Sequence, residues 1–206
     1  MKITRKINMS PHIISIDDFK EKIGGYSPER ASEFHAESAK LADIEFGGAV
    51  KNTANGKVIF LAGGSASGKT EYLHTHLVDE DAVIFDSTLS SQEGARIKIG
   101  KAKKYNKNIE LHFVIPDDVK RAFTAFLGRD RKFNDAVFYN THSDSRSTLL
   151  WVANNYSEIT IKVIESYYRK DKLKYKEIEL KNKEETLEYI KSIQYNTKEI
   201  IKKVIS

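Results

Sequence analysis

Apolar positions along the chain fall into two rhythms that take turns. Val58-Ile59-Phe60-Leu61-Ala62 is a short unbroken apolar run stopped by glycines, the mark of a strand buried on both faces of a parallel sheet. Ala82-Val83-Ile84-Phe85 and Leu111-His112-Phe113-Val114-Ile115 repeat it, the latter stopped by Pro116, and Ile159 to Ile164 gives a fourth strand. Between them lie stretches of helical character: Lys69 to Leu77, Ser91 to Tyr105, and a helix opened by Asp117-Asp118 that runs to about Leu127. Strands alternating with helices predict an α/β fold with a mostly parallel sheet covered on both faces, a three-layer architecture.

The flanks follow other patterns. Residues 1–26 show no clean period and read as an arm or a short helix from Ile16 to Lys22, ending in Gly24-Gly25-Tyr26. Ser27-Pro28-Glu29 supplies an N-cap, a first-turn proline and an acid, so a lead-in helix is expected from there to about Phe46, with Phe34, Leu41 and Ile44 on its stripe and Gly47-Gly48 as its stop. Asn52 to Lys57 reads as a polar turn. Phe133 to Ser147 reads as a long loop. Glu184 to Val204 carries Leu187, Ile190, Ile193, Ile200, Ile201 and Val204 at near three-four spacing and predicts one amphipathic helix, either packed on the sheet domain or offered to a partner. The expected division is an arm and helix at 1–50, a core at 51–167 with a lid near 128–147, and a basic helical extension at 168–206.

Composition narrows the class. The 206 residues are 40% hydrophobic and 31% charged with 3 Pro and 11 Gly, which argues for a folded domain with short appendages and against a collagenous or low-complexity chain. With no cysteine, disulfide scaffolds and thiolate chemistry are excluded. No apolar run approaches the roughly 18 residues of a membrane span, and the basic start Met1 to Ser10 leads into no secretory apolar stretch, so a cytoplasmic protein without membrane contact is expected. Net charge is +5, and residues 168–206 hold 11 Lys/Arg against 7 Asp/Glu, so the excess is mainly C-terminal. A second basic cluster runs from Arg96 to Lys107; either could meet phosphates, although solvated helix faces explain them as well.

Candidate chemistry centres on Gly63-Gly64-Ser65-Ala66-Ser67-Gly68-Lys69-Thr70, which matches the full P-loop pattern and follows a strand and opens a helix as that motif requires. Gly63 and Gly68 permit backbone conformations in which successive amides face phosphate oxygens, and the helix N-terminus adds free N–H groups. Lys69 is placed to bridge the outer phosphates of ATP or GTP, and the Thr70 hydroxyl to ligate Mg²⁺. Asp86 closes the second strand of this core, at the sheet edge where ligands of doubly wound sheets sit. Its carboxylate could take a proton from an attacking hydroxyl or orient Mg²⁺, and the residue pattern leaves both roles open. Arg121, Arg129, Arg131 and Lys132, then His142 and Arg146, form a second constellation, from which Arg129 or Arg131 is expected to meet the transferring phosphoryl group.

The succession of Val58 to Thr70, Phe85-Asp86-Ser87-Thr88-Leu89, Ile109 to Val114, Leu127-Gly128-Arg129-Asp130-Arg131 and His142 resembles the zeta-toxin family of bacterial P-loop kinases. The stretch from Ser27-Pro28 to Asp43 resembles that family's lead-in helix, and the likeness covers roughly residues 27–165. It implies a P-loop NTPase fold, phosphorylation of a sugar hydroxyl on UDP-N-acetylglucosamine, Lys69 and Thr70 on nucleotide and metal, Asp86 as base, lid arginines at Arg129 or Arg131, and a small antitoxin as partner. In one respect the chain departs from the family. Its members usually carry an Asp-rich motif after the second strand and then a separate strand ending acid-Thr-Leu, whereas only one strand, Ala82 to Asp86, fits between Lys69 and Leu111.

Three functions follow as expectations. The first is an ATP-dependent phosphotransferase acting on a hydroxyl of a small molecule, a nucleotide sugar among the candidates, with a possible toxin role. A kinase of nucleic-acid ends or nucleosides is the second, suggested by the basic segments. The third is a non-catalytic nucleotide-binding module whose terminal helix engages a partner.

Overall fold

The computed structural model describes residues 10–54, 56–131 and 133–206. The basic start before Ser10, Asn55 of the polar turn and Lys132 of the arginine-rich stretch lie outside the described residues.

Six strands form one sheet in the order β1-β3-β2-β4-β5-β6, parallel throughout except for the last pair. The central strands are β2 (Lys57–Ala62), β3 (Ala82–Asp86), β4 (Asn108–Pro116) and β5 (Thr160–Arg169). Burial explains their continuous apolar runs: every residue of β3, and all of β2 but Lys57, is buried. Alternate side chains feed two cores. Val58, Phe60 and Ala62 join Val83, Phe85 and Phe113 beneath α2 (His35–Asn52), α4 (Gln92–Lys104) and α6 (Asp135–Asn155), while Ile59, Leu61 and Ile84 pack with Tyr72, Leu73 and Leu77 at α3 (Lys69–His76). Phe46 fits between Phe60 and Phe85, with ring centroids 5.7 and 5.3 Å away. Helices therefore cover both faces, as the alternation predicts.

The edges of the sheet were hidden from the pattern. β1 (His12–Ser15) pairs in parallel with β3, Ser15 opposite Asp86, and leads directly into α1 (Ile16–Glu21). The expected short helix is present, but the strand ahead of it is too short for a period to register. At the other edge, β6 (Lys172–Glu177) returns antiparallel to β5, around Lys170 and Asp171 with φ of 51° and 58°. Its Lys-rich composition masks it, because only one face of an edge strand is covered.

Three expected elements need correction. The lead-in helix does not run from Pro28 to Phe46: Pro28–Arg30 forms a single 3-10 turn and α2 begins at His35. It continues through Gly47 and Gly48, neither of which has a positive φ, because Phe46, Ala49 and Val50 on the far turns are buried. Its core stripe is Ser38, Ala42, Phe46, Ala49 and Val50, whereas Leu41 and Ile44 face outward, Ile44 at 63% exposure. The presumed loop of Phe133 to Ser147 is mostly α6, capped by Asn134, whose side chain accepts from Ala136 N–H. A polar surface disguised it: the buried face of α6 includes His142, Ser145, Arg146 and Thr148 beside Phe138, Leu149 and Val152. Finally, Glu184 to Val204 is two helices, α7 (Lys183–Ser192) and α8 (Thr197–Ile205), separated by a capping box in which Asn196 and Glu199 exchange side-chain-to-backbone bonds. Ile190 joins the main core, and Ile200 and Val204 pack with Phe126 of α5 (Val119–Leu127) and Phe138.

Candidate functional site

At the C-terminal ends of β1, β2 and β3 the structure opens a cavity of about 410 Å³. One wall is the glycine-rich loop between β2 and α3. Its backbone turns through positive φ at Gly63 (134°), Ala66 (58°) and Gly68 (90°). Gly63 also lacks room for a side chain, since a Cβ would lie 2.2 Å from the Val114 carbonyl oxygen. Outer supports hold the curve: Ser166 Oγ donates to Ser67 O at 2.8 Å, and the Tyr175 hydroxyl donates to Gly68 O at 2.7 Å. From inside, the Lys69 ammonium donates to Gly63 O (2.9 Å) and Gly64 O (3.0 Å), closing the loop on itself.

Those bonds leave the loop rich in free donors. Among the described residues, the amides of Gly64, Ala66 and Gly68 take no part in the turn bonds, and the first-turn amides of α3 at Lys69 and Thr70 have no partner within their own helix. The Ser67 hydroxyl is buried without a hydrogen-bond partner among them. Such a concave set of N–H groups at a helix N-terminus, with an ammonium inside it, suits a polyanion. Thr70 is exposed and lines the same cavity as Asp86, so a hydroxyl and a carboxylate oxygen face one space. That donor set is right for Mg²⁺, which takes one or two protein oxygens and fills its octahedron with phosphate and water. No group of three or more His, Asp or Glu among the described residues is placed to hold a metal alone.

Asp86 stands at the end of β3, 9% exposed. Desolvation pushes its pKa up to about 6 against the opposing attraction of Lys69, with the negative charges of Asp17 and Asp18 adding to the rise. Lys69 is displaced the other way, down to about 8, by desolvation that the Asp86 charge only partly offsets. Burial thus weakens the charged form of both groups, as it does at many functional sites.

A second carboxylate enters from a segment that the sequence reading left without chemistry. Asp17, in the first turn of α1, lines the cavity two residues past the strand partner of Asp86. It pairs with Arg131 at 2.6 Å and accepts from Lys20 Nζ at 2.9 Å. Burial works against its charge, but Lys20 and Arg131 outweigh that effect and hold its pKa below the usual carboxylate value. Lys20 itself is 2% exposed. The signal available in the sequence was Ile13-Ile14-Ser15-Ile16 running into Asp17-Asp18, an apolar run ended by acids like the one at Asp86.

The arginine-rich stretch divides. Arg129 and Arg131 both line the cavity; burial lowers the pKa of Arg129, with the neighbouring charge of Arg131 acting in the same direction. Arg121 lies elsewhere, paired with Asp117 and stacked over Tyr168 at 4.9 Å. His142 and Arg146 are fully buried behind the loop instead of facing the cavity. The basic cluster of α4 is largely committed to internal ties: Arg96 to Glu93, Lys98 to Asp43, Lys103 to Glu158, and Lys101 to the Asp43 carbonyl. No helix among the described residues is long and apolar enough to cross a membrane.

The chain matches no known family model and no curated protein sequence.

Proposed function

We propose that the protein is a magnesium-dependent phosphotransferase that moves the terminal phosphoryl group of ATP or GTP to a hydroxyl of a small molecule. The observation that carries this reading is one cavity lined by Ser65, Ala66, Lys69 and Thr70 of the glycine-rich loop together with two carboxylates and two arginines. The loop amides and Lys69 would bind the phosphates, Thr70 and Asp86 would hold the metal, and Arg129 and Arg131 would meet charge on the transferring group. Bound Mg²⁺ supplies charge neutralisation and alignment of phosphate oxygens. Either carboxylate can orient an acceptor hydroxyl and take its proton. Asp86 has the pKa nearer neutrality; Asp17 has the fixed orientation and a cationic neighbour that accompanies it.

The zeta-toxin resemblance gains support from the same arrangement. Only one acid-bearing strand lies between Lys69 and Leu111, but a second acid pair, Asp17-Asp18, follows β1 beside β3, in a segment ahead of the loop in the chain. Asp86-Ser87-Thr88-Leu89 resembles the family's acid-Thr-Leu motif by residues and its Asp-rich motif by position, so a UDP-sugar is the acceptor to test first. An antitoxin partner and a cytoplasmic location belong to the same proposal. Of the α4 cations, Lys98 is withdrawn from solvent against Asp43, which removes one charge from the basic cluster that suggested the nucleic-acid-end kinase.

Label transfer from γ-labelled ATP and GTP with Mg²⁺ to a panel of UDP-sugars, nucleosides and oligonucleotide ends tests the reading. Transfer to a sugar nucleotide that Lys69→Ala abolishes is the expected result. Tight ATP binding with no transfer to any acceptor would shift the conclusion to a nucleotide-binding module.

A further inference from the structure

The polar core of α6 lies directly against the glycine-rich loop, and its bonds converge on one residue. Ser65 is gripped at three points. Its N–H donates to Thr141 Oγ1 at 3.1 Å, its hydroxyl lies 3.0 Å from that same oxygen, and its carbonyl accepts from His142 Nε2 at 2.8 Å. Because a carbonyl oxygen only accepts, the His142 proton sits on Nε2, and Nδ1 is left as an acceptor. Arg146 Nη1 faces that nitrogen at 3.2 Å and donates to the His142 carbonyl at 2.7 Å. A cation on that side keeps the ring neutral and in one tautomer; burial, then the Arg146 charge, lowers its pKa to about 3. The ring is also pressed flat on the loop: a Cβ at Gly64 would lie 2.3 Å from His142 Cγ.

Arg146 is tied in turn to the C-terminal helices. Its guanidinium stands 5.7 Å from the Tyr195 ring, and its carbonyl accepts from Gln194 Nε2 at 3.0 Å. Both residues lie in the short link between α7 and α8. A continuous line of contacts thus joins the tail to the loop through Tyr195, Arg146, His142 and Ser65.

We infer that His142 and Thr141 are positioning residues that preset the Gly64-Ser65-Ala66 backbone for phosphate, and that the α7–α8 link holds His142 in place through Arg146. With the Ser65 peptide fixed at its N–H and its carbonyl, the flanking amides of Gly64 and Ala66 stay turned toward the ligand before it arrives. A loop without this grip must order itself on binding, which weakens affinity. The inference rests on the phosphate-binding reading above, and its test therefore includes an arm that needs no ligand.

His142→Leu removes the donor while keeping bulk. His142→Gln restores an N–H near the Nε2 position, and Thr141→Val deletes the neighbouring bonds at a half-buried site. The expected result for His142→Leu and Thr141→Val is Mg·ATP binding about tenfold or more weaker, from loss of a buried hydrogen bond. His142→Gln should recover most of it. In the ligand-free protein, hydrogen exchange over residues 63–70 should accelerate in the Leu and Val variants and remain near the parent rate in β2 and β4. Tyr195→Leu, in the α7–α8 link, should accelerate exchange in the same loop segment. Parent-like exchange and affinity in both the His142→Leu and Thr141→Val proteins overturn the inference, as does a His142→Gln protein as impaired as His142→Leu. If the parent itself fails to bind Mg·ATP, the functional reading falls while the exchange arm still decides whether α6 sets the loop.

Discussion

Asp86 closes β3, Asp17 lies in the first turn of α1 two residues beyond the end of the neighbouring parallel strand β1, and both face one cavity, yet the protein treats them in opposite ways. Asp86 closes a fully buried strand, with Lys69 as the main opposing charge, and burial raises its pKa to about 6. Asp17 belongs to an edge strand and its following helix, where Lys20 and Arg131 both reach it and its charge is favoured. The difference teaches that position at a sheet edge brings a carboxylate to the site, whereas the count of cations around it decides how it can act. Burial disfavours the charge of one group. The other is a fixed negative charge that orders a lysine and an arginine.

Replacing each acid in turn is the sharpest way to break that comparison. On the phosphotransfer proposal, charge removal at the proton acceptor should lower transfer by about 10²- to 10⁴-fold, so Asp86→Asn and Asp17→Asn are assayed side by side, with Mg²⁺ affinity measured in each to separate loss of a base from loss of a metal ligand. Equal, mild losses in both would overturn the assignment of either. Stability should divide the two variants in opposite directions. Asp86→Asn relieves an ionised group from a site that disfavours it and should stabilise the ligand-free protein at pH 7 by up to about 3 kcal/mol, read by thermal unfolding. Asp17→Asn leaves Lys20, 2% exposed, without its carboxylate and should destabilise by about 1–3 kcal/mol.

The pH dependence has a definite sign. The folded pKa of Asp86 lies above its model-compound value of 3.8, so the native state holds more protons than the unfolded state between about pH 4 and pH 6. Its contribution to stability is therefore present at low pH and lost as pH rises through that window. Chemical unfolding of the parent and of Asp86→Asn across the window should differ in slope by this one group; parallel curves would contradict the raised pKa. The smallest effect concerns the rim. Arg131→Gln should let the Asp17 pKa climb toward its ordinary value, visible as a displaced carboxyl titration by NMR, while the titration of Asp86 changes less.

Legibility of the site followed the same division as its electrostatics. The loop and Asp86 were readable because each continues a buried strand whose run of apolar residues announces it. Asp17 was not, since β1 spans only His12–Ser15 and a strand of that length shows no period. Arg129 and Arg131, expected at phosphate from their position after α5, line the cavity, whereas Arg121, His142 and Arg146 share the same residue types and lie elsewhere. For His142 and Arg146 the cause was helix phase in α6, which a face of His, Ser, Arg and Thr concealed, whereas Arg121, on α5, is turned to Asp117.

By itself, then, the sequence determined the alternating core, the strand–loop–helix around Lys69, and the acid that closes β3. These depend on local signals: continuous burial of a central strand, glycines where φ is positive, and a helix start. Tertiary structure alone decided that β1 completes the sheet beside β3, that Asp17 meets Arg131 across the cavity, and that His142 lies beneath the loop. Each of these joins segments far apart in the chain, and the packing of sheet edges and of one polar helix face sets them, which no local period encodes.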